Sequence, residues 1–180
     1  MADPVVFNGG VQGQWKVLRQ GPIKGAGLPL VTFVERGTKA SAGAEWTLSG
    51  VTSNLRYTNA AEKKVLDATP SVLAKSGATR AALIPITKSA AWWGMAQDER
   101  RSVLEAKSRH IAIGSDYLSD VSRQLVHCRD QVGAQFDFLT WFEFTPADEA
   151  RFDELLTKLR ATAEWSFVER EVELRLEKVS

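Results

Sequence analysis

The second half of this 180-residue sequence holds the side chains best suited to chemistry, including both histidines and the only cysteine. If residues 96–111 form one helix, His110 lies about 20° around it from Val103, seven positions earlier, and points toward packed material. A histidine in such a position is either a core residue bonded to a backbone carbonyl or an axial metal ligand, for which imidazole suits iron.

A ligating histidine usually donates its second ring N–H to an acceptor. Glu164, just before the last predicted strand, is a candidate acceptor for His110 if the fold brings the two together. His127 competes as a ligand, but its place at the end of a predicted helix beside Cys128 favours a C-terminal cap. Two adjacent ligands without a second cluster do not make a tetrahedral site, so we reject zinc.

Arg123 lies between apolar Val121 and Leu125 on a predicted helix. An arginine there is solvated, or paired with an acid such as Asp116, or it points into a pocket as a permanent cation that holds a small anion. Lys88 also has two interpretations, because it either simply closes a strand or contributes to such a pocket.

Six tryptophans in this length predict a large aromatic core, an interface or a flat cofactor. Trp92 and Trp93 follow Lys88 closely and fit any of the three. The sequence contains no P-loop, no glycine-rich dinucleotide motif and no supported serine–histidine–aspartate set. It also contains no CxxCH motif, which excludes a covalently attached c-type haem but not a non-covalent one.

Hydrophobic periodicity indicates the elements that must position these residues. Predicted strands lie at 4–8, 15–18, 31–35, from Trp46 onward, at 81–87, 136–144 and 165–176, and predicted helices at 59–68, 96–111, 116–129 and 146–161. Residues 21–29 are predicted to form a loop, and Pro85 predicts an edge or irregular strand. The order favours an α+β fold of the ferredoxin-like kind, with an antiparallel sheet and helices on one face.

Composition narrows the class of protein further. Apolar residues make up 44% and charged residues 25%, as in ordinary globular proteins, and the length suits a single domain. A net charge of +1 does not indicate binding to nucleic acid or to an anionic membrane. No apolar run in the sequence is long enough to span a bilayer. The start, MADPVVFNGG, lacks the features of a secretion signal. A single cysteine cannot form an internal disulfide, so we expect a reducing cytoplasm.

Several blocks in the same order resemble the short-chain chlorite dismutases: AALIPITKSAAWW, QDERRSVLEAKSRHI, RQLVHCRD, FDFLTWFE and LRATAEWSFVEREVELRL. The resemblance is dense over 78–180 and fainter over 1–77, where FNGG and the GV–RY segment are similar. It implies a single domain with a haem-binding half and a reduced N-terminal half. It also implies a homodimeric α+β barrel that binds haem b and converts chlorite to chloride and dioxygen, through ferryl haem and transient hypochlorite.

The resemblance also implies site residues. His110 matches the family's iron ligand, Glu164 the carboxylate that takes its N–H, and Lys88 the lysine linked to that carboxylate. Trp92 matches the tryptophan beside the haem, whereas Trp93 is better placed for packing or a subunit contact. Arg123 matches the distal arginine, and Leu118 and Leu125 are expected to line the same pocket.

One feature departs from the family pattern. Short chlorite dismutases usually carry a distal glutamine some fourteen residues before the AALIPI strand, and here Pro70 or Ser71 stands in that region. Two other functions remain open at this level. Related coproheme decarboxylases are longer and do not use a distal arginine in this way, while a haem-binding stress protein or weak peroxidase would share the fold.

Overall fold

A computed structural model describes residues 4–52, 60–61, 73–117 and 119–179. The strands within these ranges are β1 Pro4–Gly10, β2 Trp15–Lys24, β3 Phe33–Gly37, β4 Trp46–Thr52, β5 Arg80–Lys88, β6 Val121–His127, β7 Phe138–Phe144 and β8 Val168–Lys178. They form a mixed α/β fold in which one antiparallel sheet closes into a barrel in the order β1-β3-β2-β8-β5-β7-β6-β4.

Side chains alternate along each strand, so every strand presents one row to the barrel interior and the next to its outer surface. The interior row includes Phe7, Leu83, Trp141 and Leu174, all fully buried. The outer row of β5 and β7 is also apolar, with Ile84 among its members, because helices cover it. A strand that is buried on both faces has a continuous run of hydrophobic residues in its sequence, as the segment AALIPI of β5 has.

Several helical segments cover this outer surface. They are α1 Ala90–Gly94, α2 Gln97–Arg101, a π-helical turn Ser102–Lys107, α3 His110–Ser115, a 3-10 turn Pro146–Asp148, α4 Glu149–Arg160 and a 3-10 segment Ala163–Phe167. Helix α4 lies where the sequence predicts a helix over 146–161. Its buried residues are Phe152, Leu155, Leu156 and Leu159, as the apolar spacing requires.

The predicted helix over 116–129 is wrong, because the structure has strand β6 there. Val121, Leu125 and Cys128 fit helical spacing, but β6 pairs with β7 along its whole length, with Leu125 opposite Thr140. Val121, Arg123, Leu125 and His127 therefore share one face at a spacing of two. Pairing with a neighbouring strand decides the conformation of this segment, and local spacing does not reveal such pairing.

The predicted helix over 96–111 is interrupted rather than continuous. Arg109 has a left-handed backbone, with φ of 53°, and a new helix begins at His110. The carboxylate of Glu105 accepts a hydrogen bond from Ile111 N at 2.8 Å, which satisfies one of the backbone donors at the start of α3.

Strand β5 is central rather than at an edge, since it pairs with both β7 and β8. Pro85 is opposite Leu139 of β7, whereas the pairing with β8 runs to Leu83 and resumes at Ile86. Pro85, which has no backbone N–H to donate, therefore lies where the pairing between β5 and β8 is interrupted.

Several other expectations differ from the structure or fall on residues that it does not describe. Residues 21–24 extend β2 instead of joining a loop. Of the predicted helix over 59–68, only 60–61 are described, and they are helical. Leu118, Pro70 and Ser71 lie outside the described residues. Within the described ranges, no helix is long and apolar enough to cross a membrane.

Candidate active site

A large cavity lies between the outer face of the sheet and the helices, and encloses about 1270 Å³ counting its open mouth. Most of its wall is apolar, contributed by residues such as Ile84, Ile86, Phe142 and Leu155. Within this apolar surface lie six side chains that carry an acid, a basic group or an imidazole: Lys88, His110, Arg123, His127, Glu164 and Glu171. An apolar cavity with a few convergent polar groups is the usual form of a small-molecule or cofactor site.

Three of these side chains form a continuous hydrogen-bonded chain. His110 Nδ1 lies 2.6 Å from Glu164 Oε2, and Lys88 Nζ donates to Glu164 Oε1 at 2.6 Å. A carboxylate can only accept when ionised, so Nδ1 carries the proton and Nε2, on the other side of the ring, is the atom left for a ligand.

Separate elements bring the three residues together. Lys88 ends strand β5, His110 begins helix α3, and Glu164 lies in the 3-10 segment before β8. Ser108, in the interruption before α3, accepts a hydrogen bond from Glu164 N at 2.8 Å through its Oγ. The interruption thus both turns His110 toward the cavity wall and fixes the backbone of its carboxylate partner.

Burial and charge act in opposite directions on Glu164, which is 3% exposed. Burial alone would raise the pKa of Glu164, but the charges and hydrogen bonds of His110 and Lys88 outweigh it and hold the pKa at about 2. Burial lowers the pKa of Lys88, and Glu164 and Asp137 oppose that effect. The pair is therefore a buried carboxylate facing a buried ammonium, oriented toward one imidazole.

Aromatic rings surround this chain. Lys88 Nζ lies 4.1 Å from the ring centroid of Trp92, which is fully buried and lines the cavity. Trp165 stacks against His110, with centroids 6.5 Å apart and planes 16° apart. Trp165 Nε1 in turn donates to Glu171 Oε1 at 2.8 Å, which fixes the plane of the indole.

The sheet side of the cavity carries a different set of residues. Arg123, Leu125 and His127 follow one another along the outward face of β6, and all three line the cavity. Burial lowers the pKa of Arg123, but an arginine keeps its charge in proteins. The cavity thus has an imidazole that comes from its helix side and a permanent cation whose side chain begins on its sheet side.

Two residues considered from the sequence lie away from the cavity. Trp93 stacks on Phe138, and its Nε1 donates to Asp137 Oδ2 at 3.0 Å. Cys128 belongs to the barrel interior, where its Sγ donates to Phe136 O at 2.9 Å. Cys128 and cavity-lining His127 thus belong to different surroundings and do not form one site.

Sequence reasoning missed several residues of this region. Asp137 Oδ2 accepts hydrogen bonds from Lys88 N at 2.8 Å and from Trp93 Nε1, and so connects the end of β5 to α1. Alternation along β8 places Glu171 on the face opposite the interior row of Val172, Leu174 and Leu176. Only the packing of Trp165 and Arg160 over β8 shows that this opposite face is buried as well.

The side chains in the cavity suit a metal ion whose other ligands come from a prosthetic group and not from the protein. Among the described residues, no group of three or more His, Cys, Asp or Glu side chains is arranged to hold a metal ion. A haem iron requires only an axial ligand from the protein, and His110 with its carboxylate partner is such a ligand. The residues present therefore fit a haem.

Comparison with known proteins agrees with this chemistry. The family model described as chlorite dismutase matches residues 33–176. A dimeric chlorite dismutase from Nitrobacter winogradskyi is 48% identical in sequence, with a TM-score of 0.90 and coverage of 97% of this chain and 99% of that one.

More distant structures share the fold. A mutant chlorite dismutase from Candidatus Nitrospira defluvii in complex with cyanide is 22% identical, with a TM-score of 0.60 and coverage of 82% of this chain and 56% of that chain. The same organism's enzyme in complex with imidazole gives 22% identity, a TM-score of 0.58 and coverage of 81% and 56%. This chain thus spans little more than half the length of those enzymes.

Proposed function

The chain belongs to the chlorite dismutase family, and we propose that it converts chlorite to chloride and dioxygen at a haem b bound in the cavity beside His110. The observation that carries this proposal is the chain of hydrogen bonds from His110 through Glu164 to Lys88 at the wall of a large apolar cavity. When bound, the haem supplies the redox chemistry by which an oxygen atom leaves chlorite.

In this proposal His110 is the iron ligand through Nε2, and Glu164 and Lys88 act on it indirectly. An ionised carboxylate that accepts the Nδ1 proton makes an imidazole a stronger electron donor to iron. Lys88 keeps Glu164 ionised despite its burial, since the ammonium lies 2.6 Å from Oε1. Trp92 and Trp165 exclude water from this chain and limit rotation of the imidazole.

Arg123 acts on the substrate. Its guanidinium is a cation in an otherwise apolar part of the wall, next to Leu125, and attracts the chlorite anion. Removal of one oxygen atom from chlorite leaves hypochlorite, also an anion. Arg123 retains that anion beside the reacting centre until chloride and dioxygen form, while the apolar surface of Leu125 limits the entry of water.

We also propose a ferredoxin-like arrangement for the haem-binding half, 78–180, with 1–77 as a reduced counterpart in a single domain. Two observations support it. The elements from β5 to β8 follow the order strand, helix, strand, strand, helix, strand, and these strands lie side by side as β8-β5-β7-β6.

A homodimer in the cytoplasm completes the proposal. The 48% identical structure from Nitrobacter winogradskyi is a dimeric chlorite dismutase, which supports the same assembly here. A cytoplasmic location is supported by the single cysteine, Cys128, whose buried thiol donates a hydrogen bond.

Oxygen evolution tests the proposed reaction. Purified protein loaded with haem b is mixed with chlorite, and dioxygen and chloride are measured together. We expect one dioxygen and one chloride for each chlorite consumed. Chlorite consumption without dioxygen, or dye oxidation with hydrogen peroxide as the only activity, would instead identify a peroxidase-like or purely haem-binding protein of the same fold.

A further inference from the structure

The backbone conformation of Gly114 does not require a glycine. It is buried in α3, one turn after His110, and it is not among the residues with positive φ. Glycine in a helix interior is unfavourable compared with alanine, so its presence there indicates a close approach that a side chain would prevent.

The group that approaches is the guanidinium of Arg123. A Cβ added to Gly114 would lie 2.9 Å from Arg123 Nη1, 3.6 Å from Cζ and 4.0 Å from Nη2. The first of these distances is shorter than a methyl group accepts. The end of Arg123 therefore extends from β6, on the sheet side of the cavity, to α3, and its Nη1 is the atom nearest to the one position of α3 that has no side chain.

We propose that Gly114 is a positioning residue that sets where the Arg123 cation stands in the cavity. This inference depends on the proposed function, because the position matters only if Arg123 holds a reacting anion. The absent side chain leaves space at α3 for the Nη1 end of the guanidinium. With that end in place, the cation lies against the same helix that begins at His110, which relates its position to that of the imidazole.

The same contact predicts how a side chain at this position would act. The atom closest to the new Cβ is the far end of a long side chain, which moves more easily than the helix or strand. Gly114→Ala should therefore displace the guanidinium rather than unfold the site. The haem ligand should be preserved, since His110 keeps its hydrogen bond to Glu164 on the other side of the ring.

Gly94 provides the matched control. It too lies in a short helix near the site, α1, but a Cβ there would meet nothing within 4 Å. Gly94→Ala makes the same chemical change near the end of a short helix, at an exposed position. It controls for the added methyl group, and the Arg123→Ala background then identifies the part of the Gly114→Ala effect that is due to the contact.

The first test uses haem-loaded enzyme and combines Gly114→Ala with Arg123→Ala. We expect Gly114→Ala alone to keep its Soret band, to lose chlorite turnover and to release more hypochlorite, measured by trapping with methionine. In the Arg123→Ala background the added alanine should change neither rate nor release. Equal losses in both backgrounds, or no loss in either, would show that Gly114 does not act through Arg123.

The second test does not depend on turnover. Fluoride binding to the ferric protein, followed in the Soret region, reports a cation near the anion site. Gly114→Ala should raise the Kd for fluoride by about tenfold, the change expected when one charge-assisted hydrogen bond is lost. The effect should be smaller with Arg123→Lys, whose single ammonium lacks the fork that meets the Cβ. An unchanged Kd would overturn the proposal.

A thermal unfolding cycle separates this inference from the proposed function. If the parent binds no haem or evolves no dioxygen, the proposed reaction is wrong, but the contact can still be measured. Gly114→Ala should lower Tm relative to Gly94→Ala when Arg123 is present, and should not do so in Arg123→Ala. The same Tm change in both backgrounds would show that the two residues are not in contact.

Discussion

His110 and Glu164 are 54 residues apart in the sequence, yet Nδ1 of the first lies 2.6 Å from Oε2 of the second. The second carboxylate oxygen of Glu164 accepts from buried Lys88 at the same distance. A carboxylate held between an imidazole and an ammonium stays ionised even where burial opposes its charge.

Haem binding should depend on His110 and not on His127, although both histidines line the cavity. His110→Ala removes the imidazole that lies against the carboxylate of Glu164, so the Soret band should be lost or the haem held weakly. His127→Ala is the matched control and should retain haem. Absorption spectra of both variants after haem titration provide the measurement. Full retention of haem by His110→Ala with an unchanged spectrum would refute ligation by this residue.

Glu164→Gln should weaken the iron ligand. A neutral amide accepts the Nδ1 proton less strongly, so His110 becomes a poorer donor and the ferric/ferrous reduction potential should rise. Loss of such a partner typically lowers metal affinity about 10- to 100-fold. Spectroelectrochemistry gives the potential, and an unchanged value would show that the carboxylate does not influence the iron.

The same substitution should also affect stability, because Lys88 would be left charged and only 6% exposed. Breaking a buried ion pair by removing one partner costs about 3–5 kcal/mol. Glu177→Gln breaks a partly exposed pair with Arg80 and should change the free energy of unfolding by no more than about 1 kcal/mol. Urea unfolding of both variants measures the difference. Equal effects would mean that Lys88 finds another partner or loses its charge.

Arg123→Ala should separate haem binding from catalysis. The variant should keep its haem and a near-normal ferric spectrum, because His110 is oriented by its hydrogen bond to Glu164 and not by Arg123. Chlorite turnover should fall, and inactivation should come sooner as escaping hypochlorite attacks the protein. Methionine should prolong its activity more than that of the parent. Arg123→Lys should recover part of the loss, since it keeps charge without the planar fork. Identical rate, lifetime and scavenger response would disprove retention by Arg123.

The protein should be a homodimer in solution. An isologous pair is the commonest oligomer, and the 48% identical relative is dimeric. Light scattering coupled to size exclusion should give a mass of about 40 kDa, twice the 19.9 kDa of one chain. A monomer or a pentamer would contradict this expectation.

The thiol of Cys128 should be unreactive in the folded protein. Burial, with a smaller contribution from Asp137, raises its pKa to about 12, so very little of the reactive thiolate is present at pH 8. Alkylation by iodoacetamide should be slow in buffer and rapid in denaturant. Fast labelling of native protein would show that the barrel interior opens.

The raised pKa of Cys128 also has a consequence for stability. An unfolded thiol loses its proton near pH 9, whereas the folded thiol keeps it until about pH 12. Between these values the unfolded state binds fewer protons, so stability falls as pH rises. Cys128→Ala should flatten this part of the stability curve, as measured by denaturant unfolding from pH 8 to 11. An unchanged slope would contradict the raised pKa.

Some elements of this protein could be predicted from the sequence because their signals are local. The helix over 146–161 has a proline at its start, acids in its first turn and an apolar stripe, and it forms as α4 after one 3-10 turn. The strands at 4–8 and 136–144 follow from alternation. The candidates His110, Glu164, Lys88 and Arg123 could be named from residue type and from the family resemblance, without any knowledge of where they meet.

Only the tertiary structure decided the rest. Segment 121–127 has apolar spacing compatible with a helix, and it becomes a strand because β7 lies beside it and takes its hydrogen bonds. The burial of Glu171 depends on the residues that pack over β8. The contact between Gly114 and Arg123 joins a helix to a strand across a cavity. Sequence periodicity describes each segment by itself, whereas strand pairing, burial and close approach depend on two segments at once.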